Sequence, residues 1–145
     1  QAEGSAYLYE AWRNKEDVVS KPPIQAHTVA DSLEAGLPRD RVKAITAVRE
    51  TKGAFNQVSD EEILQANPAL AQQSGVFADP AAAATYAGVL KASREQLVGP
   101  EDKVVLLLTG SGLKDINSAM KSVGKVMRIK PKLTAVRRAL AMLNK

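Results

Sequence analysis

The chain has 145 residues, 45% apolar and 25% charged, which allows one domain with a core of its own and argues against a disordered segment. With no cysteine and one histidine, His27, it excludes disulfides, thiolate metal sites and a cysteine nucleophile, and it offers too few imidazoles for a zinc site or a Ser/His/Asp triad. The net charge of +4 is split: twelve Lys/Arg face sixteen Asp/Glu up to Asp115, and eight Lys/Arg with no acid follow from Ile116 onward. No apolar run approaches the roughly 20 residues that cross a bilayer, so a cytoplasmic protein without a membrane partner is expected.

Taken in chain order, residues 5–14 can form a helix carrying Tyr7, Leu8, Tyr9 and Trp12, whose aromatic rings read as core. Lys21-Pro22-Pro23 enforces an extended linker. His27 reads as a helix-entry residue without a ligand role. A helical pattern covers about 39–51, with Val42, Ile45 and Val48 on one side, and Lys52-Gly53 ends it. Residues 53–58 form a short strand candidate.

Ser59-Asp60-Glu61-Glu62 starts the next helix as a capping box, and this acidic run reads as a charged first turn, not a metal site. Ile63, Leu64, Leu70 and Ala71 give that helix its apolar side, Pro68 should kink or divide it, and Gly75 ends it. Residues 76–78 are extended. Asp79 then caps a helix whose first residue is Pro80, and Ala81 to Ala84 favour helix and close packing. The N-terminus of that helix suits an anion, although Asp79 can supply one itself.

Residues 104–108, Val-Val-Leu-Leu-Leu, read as a strand buried on both faces, stopping at Thr109-Gly110-Ser111-Gly112. A hydroxyl at the carboxyl end of such a strand is placed to meet a ligand over the sheet edge, or else to satisfy the backbone of a tight turn. A polar helix near 115–122, a short strand at 126–129 and a terminal helix at about 131–143 complete the chain. The last carries Leu133, Val136, Leu140 and Leu143 toward a body and Arg137 and Arg138 toward solvent, with Pro131 in its first turn. Its basic charge suits docking on an acidic neighbour or binding nucleic acid, but no aromatic residues interleave to stack on bases. The fold class expected is α/β, part of an open, mostly parallel sheet flanked by helices.

Five segments stand together in an order and spacing that resembles the C-terminal part of the threonine synthases. They are Gln1-Ala2-Glu3-Gly4, His27-Thr28-Val29-Ala30-Asp31, Val58-Ser59-Asp60-Glu61-Glu62-Ile63-Leu64, Gly75-Val76-Phe77-Ala78-Asp79-Pro80-Ala81 and Leu108-Thr109-Gly110-Ser111-Gly112-Leu113-Lys114-Asp115. The resemblance, strongest over residues 24–116, implies a fold-type-II, tryptophan-synthase-β-like enzyme with pyridoxal phosphate between two domains. It implies that Thr109 meets the pyridine nitrogen, that Gly110 lets the backbone pass close to the ring, that Thr28, Val29 and Ala30 line the ring face, and that Asp79-Pro80 borders the site. Two departures stand out: Asp79 replaces a more usual Glu, and Gly36-Leu37-Pro38 replaces Gly-Asn-Pro.

The implied reaction is O-phosphohomoserine and water to threonine and phosphate, in a homodimer. Neither Lys91 nor Lys114 stands at the family's Schiff-base position, and the glycine-rich phosphate cup is not found. The resemblance therefore implies that residues 1–145 are a C-terminal portion of the large cofactor-binding domain, completed by the N-terminal half of the same enzyme and inactive alone, with no catalytic residue of its own. Two alternatives stand beside it: a portion of a sister enzyme such as a cysteate synthase or serine/threonine dehydratase, and a non-enzymatic module with a basic tail.

Overall fold

A computed structural model of the chain describes residues 1–123 and 127–143. The first residue of the strand expected at 126–129 and the side chain of Leu143 lie outside the described residues. The α-helices are α1 (Tyr7–Asn14), α2 (Arg41–Glu50), α3 (Asp60–Ser74), α4 (Pro80–Arg94), α5 (Ile116–Ser122) and α6 (Leu133–Leu143). Single 3-10 turns stand at Glu3–Ser5, Asp31–Leu33 and Gly112–Lys114.

Local chemistry accounts for the two long helices. At α3 the Ser59 hydroxyl accepts from the Glu62 N–H at 3.1 Å while the Ser59 N–H donates to Glu62 Oε2 at 3.0 Å, so two otherwise orphaned donors are satisfied. Gly75, at φ 74°, closes the helix in the left-handed region that a side chain resists. Of the two outcomes expected at Pro68, division does not occur: α3 runs through it as one helix. The proline removes one internal hydrogen bond, and the helix around it is held by Ile63, Ala66 and Leu70 buried against the alanines of α4. α4 begins where Asp79 Oδ1 accepts from the Ala82 N–H at 2.8 Å with Pro80 as its first residue. Ala82, Ala83, Ala84 and Ala87 are buried, and residues this small let the two helices lie close together.

The main core joins these helices to Ala2, Ala30, Val58 and Ala78, with Val29, Leu33 and Leu108 packed at its edge. A smaller core holds Tyr7, Leu8, Ala11, Val18 and Ile45, with Trp12 and Phe55 beside it. Tyr7 is fully buried and its hydroxyl donates to the Lys21 carbonyl at 2.8 Å, which keeps the ring's polar end satisfied. On α2 only Ile45 of the expected stripe is buried, and Val42 is half exposed.

Extended pairing among the described residues is confined to isolated bridges, parallel between Ala2 and Val58 and antiparallel between Ala78 and Ser111. The strand candidate at 53–58 therefore reduces to its last residue. Residues 104–108 do not form the expected buried strand: Val105 is 83% and Leu107 74% exposed. A strand needs neighbours to take its N–H and C=O groups, and no described segment lies alongside to provide them. Residues 127–129 likewise carry no regular structure. In α6, Ala139 is buried and Ala135 and Val136 half-buried, whereas Leu133, Leu140 and Met142 are exposed. Of the stripe expected to face a body, Val136 is half-buried and Leu133 and Leu140 are exposed, and Ala139 belongs to neither core. Among the described residues no helix is long and apolar enough to cross a membrane.

Candidate functional site

The glycine turn after residue 108 is clasped onto the segment that leads into α4. The Asp79 N–H donates to the Gly110 carbonyl at 3.1 Å and the Gly112 N–H donates to the Phe77 carbonyl at 2.9 Å, either side of the Ala78–Ser111 bridge. Both glycines are required by this approach. A Cβ at 110 would overlap the Asp79 carboxylate, and one at 112 would lie 2.5 Å from the Phe77 ring. The room that Gly110 leaves open is thus taken by Asp79.

Asp79, 4% exposed, is the hinge of the arrangement. Its Oδ1 caps α4, while its Oδ2 lies 3.5 Å from the Lys114 ammonium, which also donates to the Ser32 hydroxyl at 2.9 Å. Ser32 sits in the 3-10 turn that immediately follows Thr28, Val29 and Ala30. One cation therefore links the helix cap, the glycine turn and the 28–33 segment.

Thr28 is buried, and its hydroxyl donates to Asp60 Oδ1 at 2.5 Å and accepts from the Ala30 N–H at 3.2 Å. Asp60 Oδ2 accepts from the Val29 N–H at 3.1 Å, so the first residue of α3 fixes the backbone of this segment. Ala30 is fully buried and Val29 packs on the same core as Ala78 and Leu108. Thr109 is exposed, and among the described residues its hydroxyl has no hydrogen-bond partner. Its neighbours are held: Leu108 packs on the main core and Gly110 is bonded to Asp79.

The structure thus brings Asp79 and Gly110 into contact, gathers Thr28, Val29 and Ala30 on the neighbouring turn, and leaves the Thr109 hydroxyl open. Lys114, Ser32 and Asp60 were not singled out from sequence as parts of this site. The one signal for Lys114 was its place directly after the glycine turn. Downstream, the Asp115 carboxyl accepts from the Ser118 N–H at 3.0 Å, capping α5, and hydrogen bonding from Ser118 holds its pKa below the usual carboxylate value. Lys91 is engaged elsewhere, donating to the Gln57 carbonyl at 2.8 Å.

The sequence pattern of the family described as "Pyridoxal-phosphate dependent enzyme" matches residues 1–110, a span that includes Thr28, Val29, Ala30, Asp79, Thr109 and Gly110. The chain is similar to a threonine synthase of Methanocaldococcus jannaschii, with 31% identity over 144 residues, covering 99% of this chain and 35% of that protein. It is also similar to a threonine synthase of Halalkalibacterium halodurans, with 39% identity over 123 residues, covering 85% of this chain and 32% of that protein. The chain spans about a third of the length of these curated relatives. Among solved structures, a pyridoxal 5'-phosphate-dependent aspartate racemase superposes with a TM-score of 0.56 at 24% identity, over 76% of this chain and 33% of that one, a likeness of fold alone. The fold is accordingly of the α/β class, with the described residues holding its helices. With most of its length matched, the chain belongs to the pyridoxal-phosphate dependent enzymes, and pyridoxal phosphate is the cofactor of the complete protein.

Proposed function

We propose that residues 1–145 are the C-terminal portion of the large cofactor-binding domain of a threonine synthase, which converts O-phosphohomoserine and water to threonine and phosphate. The relatives named threonine synthase, matched along nearly the whole chain, support that choice within the family. The observation that carries the site is Thr109: an open hydroxyl between two anchored residues, in a loop clasped to Asp79. In this reading residues 104–108 are a strand of an open, mostly parallel sheet whose neighbours come from the N-terminal half of the same enzyme. The exposure of Val105 and Leu107, which a finished sheet would cover, supports it.

The donors present suit the cofactor. Thr109 offers a neutral hydroxyl to the pyridine nitrogen, a contact that leaves the nitrogen's protonation unforced where a carboxylate would compel it. Val29 would face the ring from a backbone held by Asp60, with Thr28 and the buried Ala30 fixing the turn, and Asp79 would border the site through its hold on Gly110. When bound, pyridoxal phosphate supplies an electron sink that stabilises carbanions next to the amino nitrogen. This chain's share is to bind and orient. Both lysines weighed for a covalent role, Lys91 and Lys114, are engaged with other groups, so the cofactor-bearing lysine is assigned to the N-terminal half and the chain alone is assigned no turnover. A cytoplasmic homodimer completes the proposal.

The test uses the complete polypeptide that contains this segment, loaded with pyridoxal phosphate and given O-phosphohomoserine. Equal release of phosphate and threonine is expected. No threonine, with phosphoserine and sulfite reacting instead, would assign the chain to a cysteate synthase.

A further inference from the structure

We infer that Lys114 is a positioning residue, whose ammonium holds the Thr109 loop in register with the two other segments of the cofactor wall. The inference rests on the cofactor reading above and extends it to a residue outside the matched span of residues 1–110. Thr109 has no side-chain tether of its own among the described residues, so the place of its hydroxyl depends on what fixes residues 110–114. Backbone bonds to Phe77 and Asp79 fix that loop at residues 110 and 112, and Leu108 packs on the main core just before it. These are main-chain and apolar contacts, with no polar side chain among them. The Lys114 side chain adds two polar points: Asp79 Oδ2 at 3.5 Å and Ser32 Oγ at 2.9 Å, the latter 82 residues away in sequence.

The Lys114 ammonium is itself exposed, but both of its partners are carried by fixed elements, so its effect is one of geometry more than of binding energy. Asp79 is almost wholly buried, and its other oxygen is committed to the cap of α4, so the carboxylate cannot follow the lysine outward. Ser32 is carried by the turn that follows Ala30, which is itself fully buried in the main core with Ala78. Lys114 therefore ties the glycine turn to two elements that are fixed. Loss of the clamp would let the hydroxyl at 109 wander relative to the ring it meets, and a displacement of about 1 Å in a positioning group is enough to cost up to about a hundredfold in rate.

Two readouts separate position from mere stability. In the complete enzyme, Lys114→Met is expected to speed hydrogen exchange at the amides of Asp79 and Gly112 while leaving the Ile63 amide of α3 unchanged. In the complete enzyme loaded with pyridoxal phosphate, the same change is expected to shift the visible absorption band of the bound cofactor and to lower kcat by about tenfold or more with KM within about twofold. Lys114→Arg, which keeps a cation able to reach both partners, should restore the band and most of the rate. Ser32→Ala, at an exposed position whose loss does not threaten the fold, should move each readout the same way by less. Unchanged exchange overturns the clamp. Faster exchange with an unaltered band and kcat overturns the positioning role and leaves the family reading intact. A complete wild-type protein that binds no pyridoxal phosphate overturns both, and it does so before any variant is made.

Discussion

Replacing Gly110 by alanine places a methyl group where the Asp79 carboxylate sits. The obstacle is the end of a side chain, so the clash can be relieved by turning Asp79 away. The cost is then whatever that carboxylate was doing. It caps α4 through the Ala82 N–H, worth about 0.5–2 kcal/mol for caps of this kind. It also meets Lys114, whose side chain is 58% exposed, and solvent screening reduces that contact to well under about 1 kcal/mol. Gly110→Ala should therefore destabilise the chain by about 1–2 kcal/mol, read as a lower urea midpoint at constant slope. The decisive step is the double-mutant cycle. In an Asp79→Ala background the obstruction is gone, and Gly110→Ala should cost less than about 0.5 kcal/mol. Equal costs in both backgrounds would refute the argument that Gly110 is required by the approach of Asp79.

The Glu62 carboxyl has a lowered pKa, chiefly because the Ser59 N–H bonds to it and then because Arg94 lies 2.6 Å away, so its contribution to stability is present above the ordinary value of 4.5 and is lost as pH falls through the lowered one. Glu62→Gln should flatten the acid limb of a melting curve measured against pH, and Ser59→Ala should cost about 1 kcal/mol at neutral pH. Thr109→Ala should leave the stability of the chain within about 0.5 kcal/mol, because the hydroxyl is exposed, while weakening cofactor retention in the complete enzyme as followed by its visible absorption. The exposed aliphatic run should drive the isolated chain to self-associate. Val105→Lys with Leu107→Lys should lower its light scattering without lowering its melting temperature, and a wild-type chain that scatters as a monomer would count against this.

Features built from neighbours in sequence were legible in advance. The capping box at Ser59 and Glu62, the stop at Gly75 and the Asp79-Pro80 start are all settled within one helical turn, and each stands where its residues indicate. Residues 104–108 show the opposite case. Their pattern reports a capacity to be buried on both faces, but burial requires strands beyond the segment, and the pattern is silent on whether they are at hand. On α6 the leucine spacing signals an amphipathic helix, but Leu133 and Leu140 are exposed, because the spacing does not report whether a surface to pack on is present. The Lys114–Ser32 contact closes over 82 residues and has no local signature at all.

Because Asp79 is the residue that caps α4, that helix brings its own counter-ion to the end where its dipole would otherwise attract one. An anion arriving there would meet the Asp79 carboxylate in place of open N–H groups. Of the two ends of α4, the start is thereby closed to anions by the chain itself.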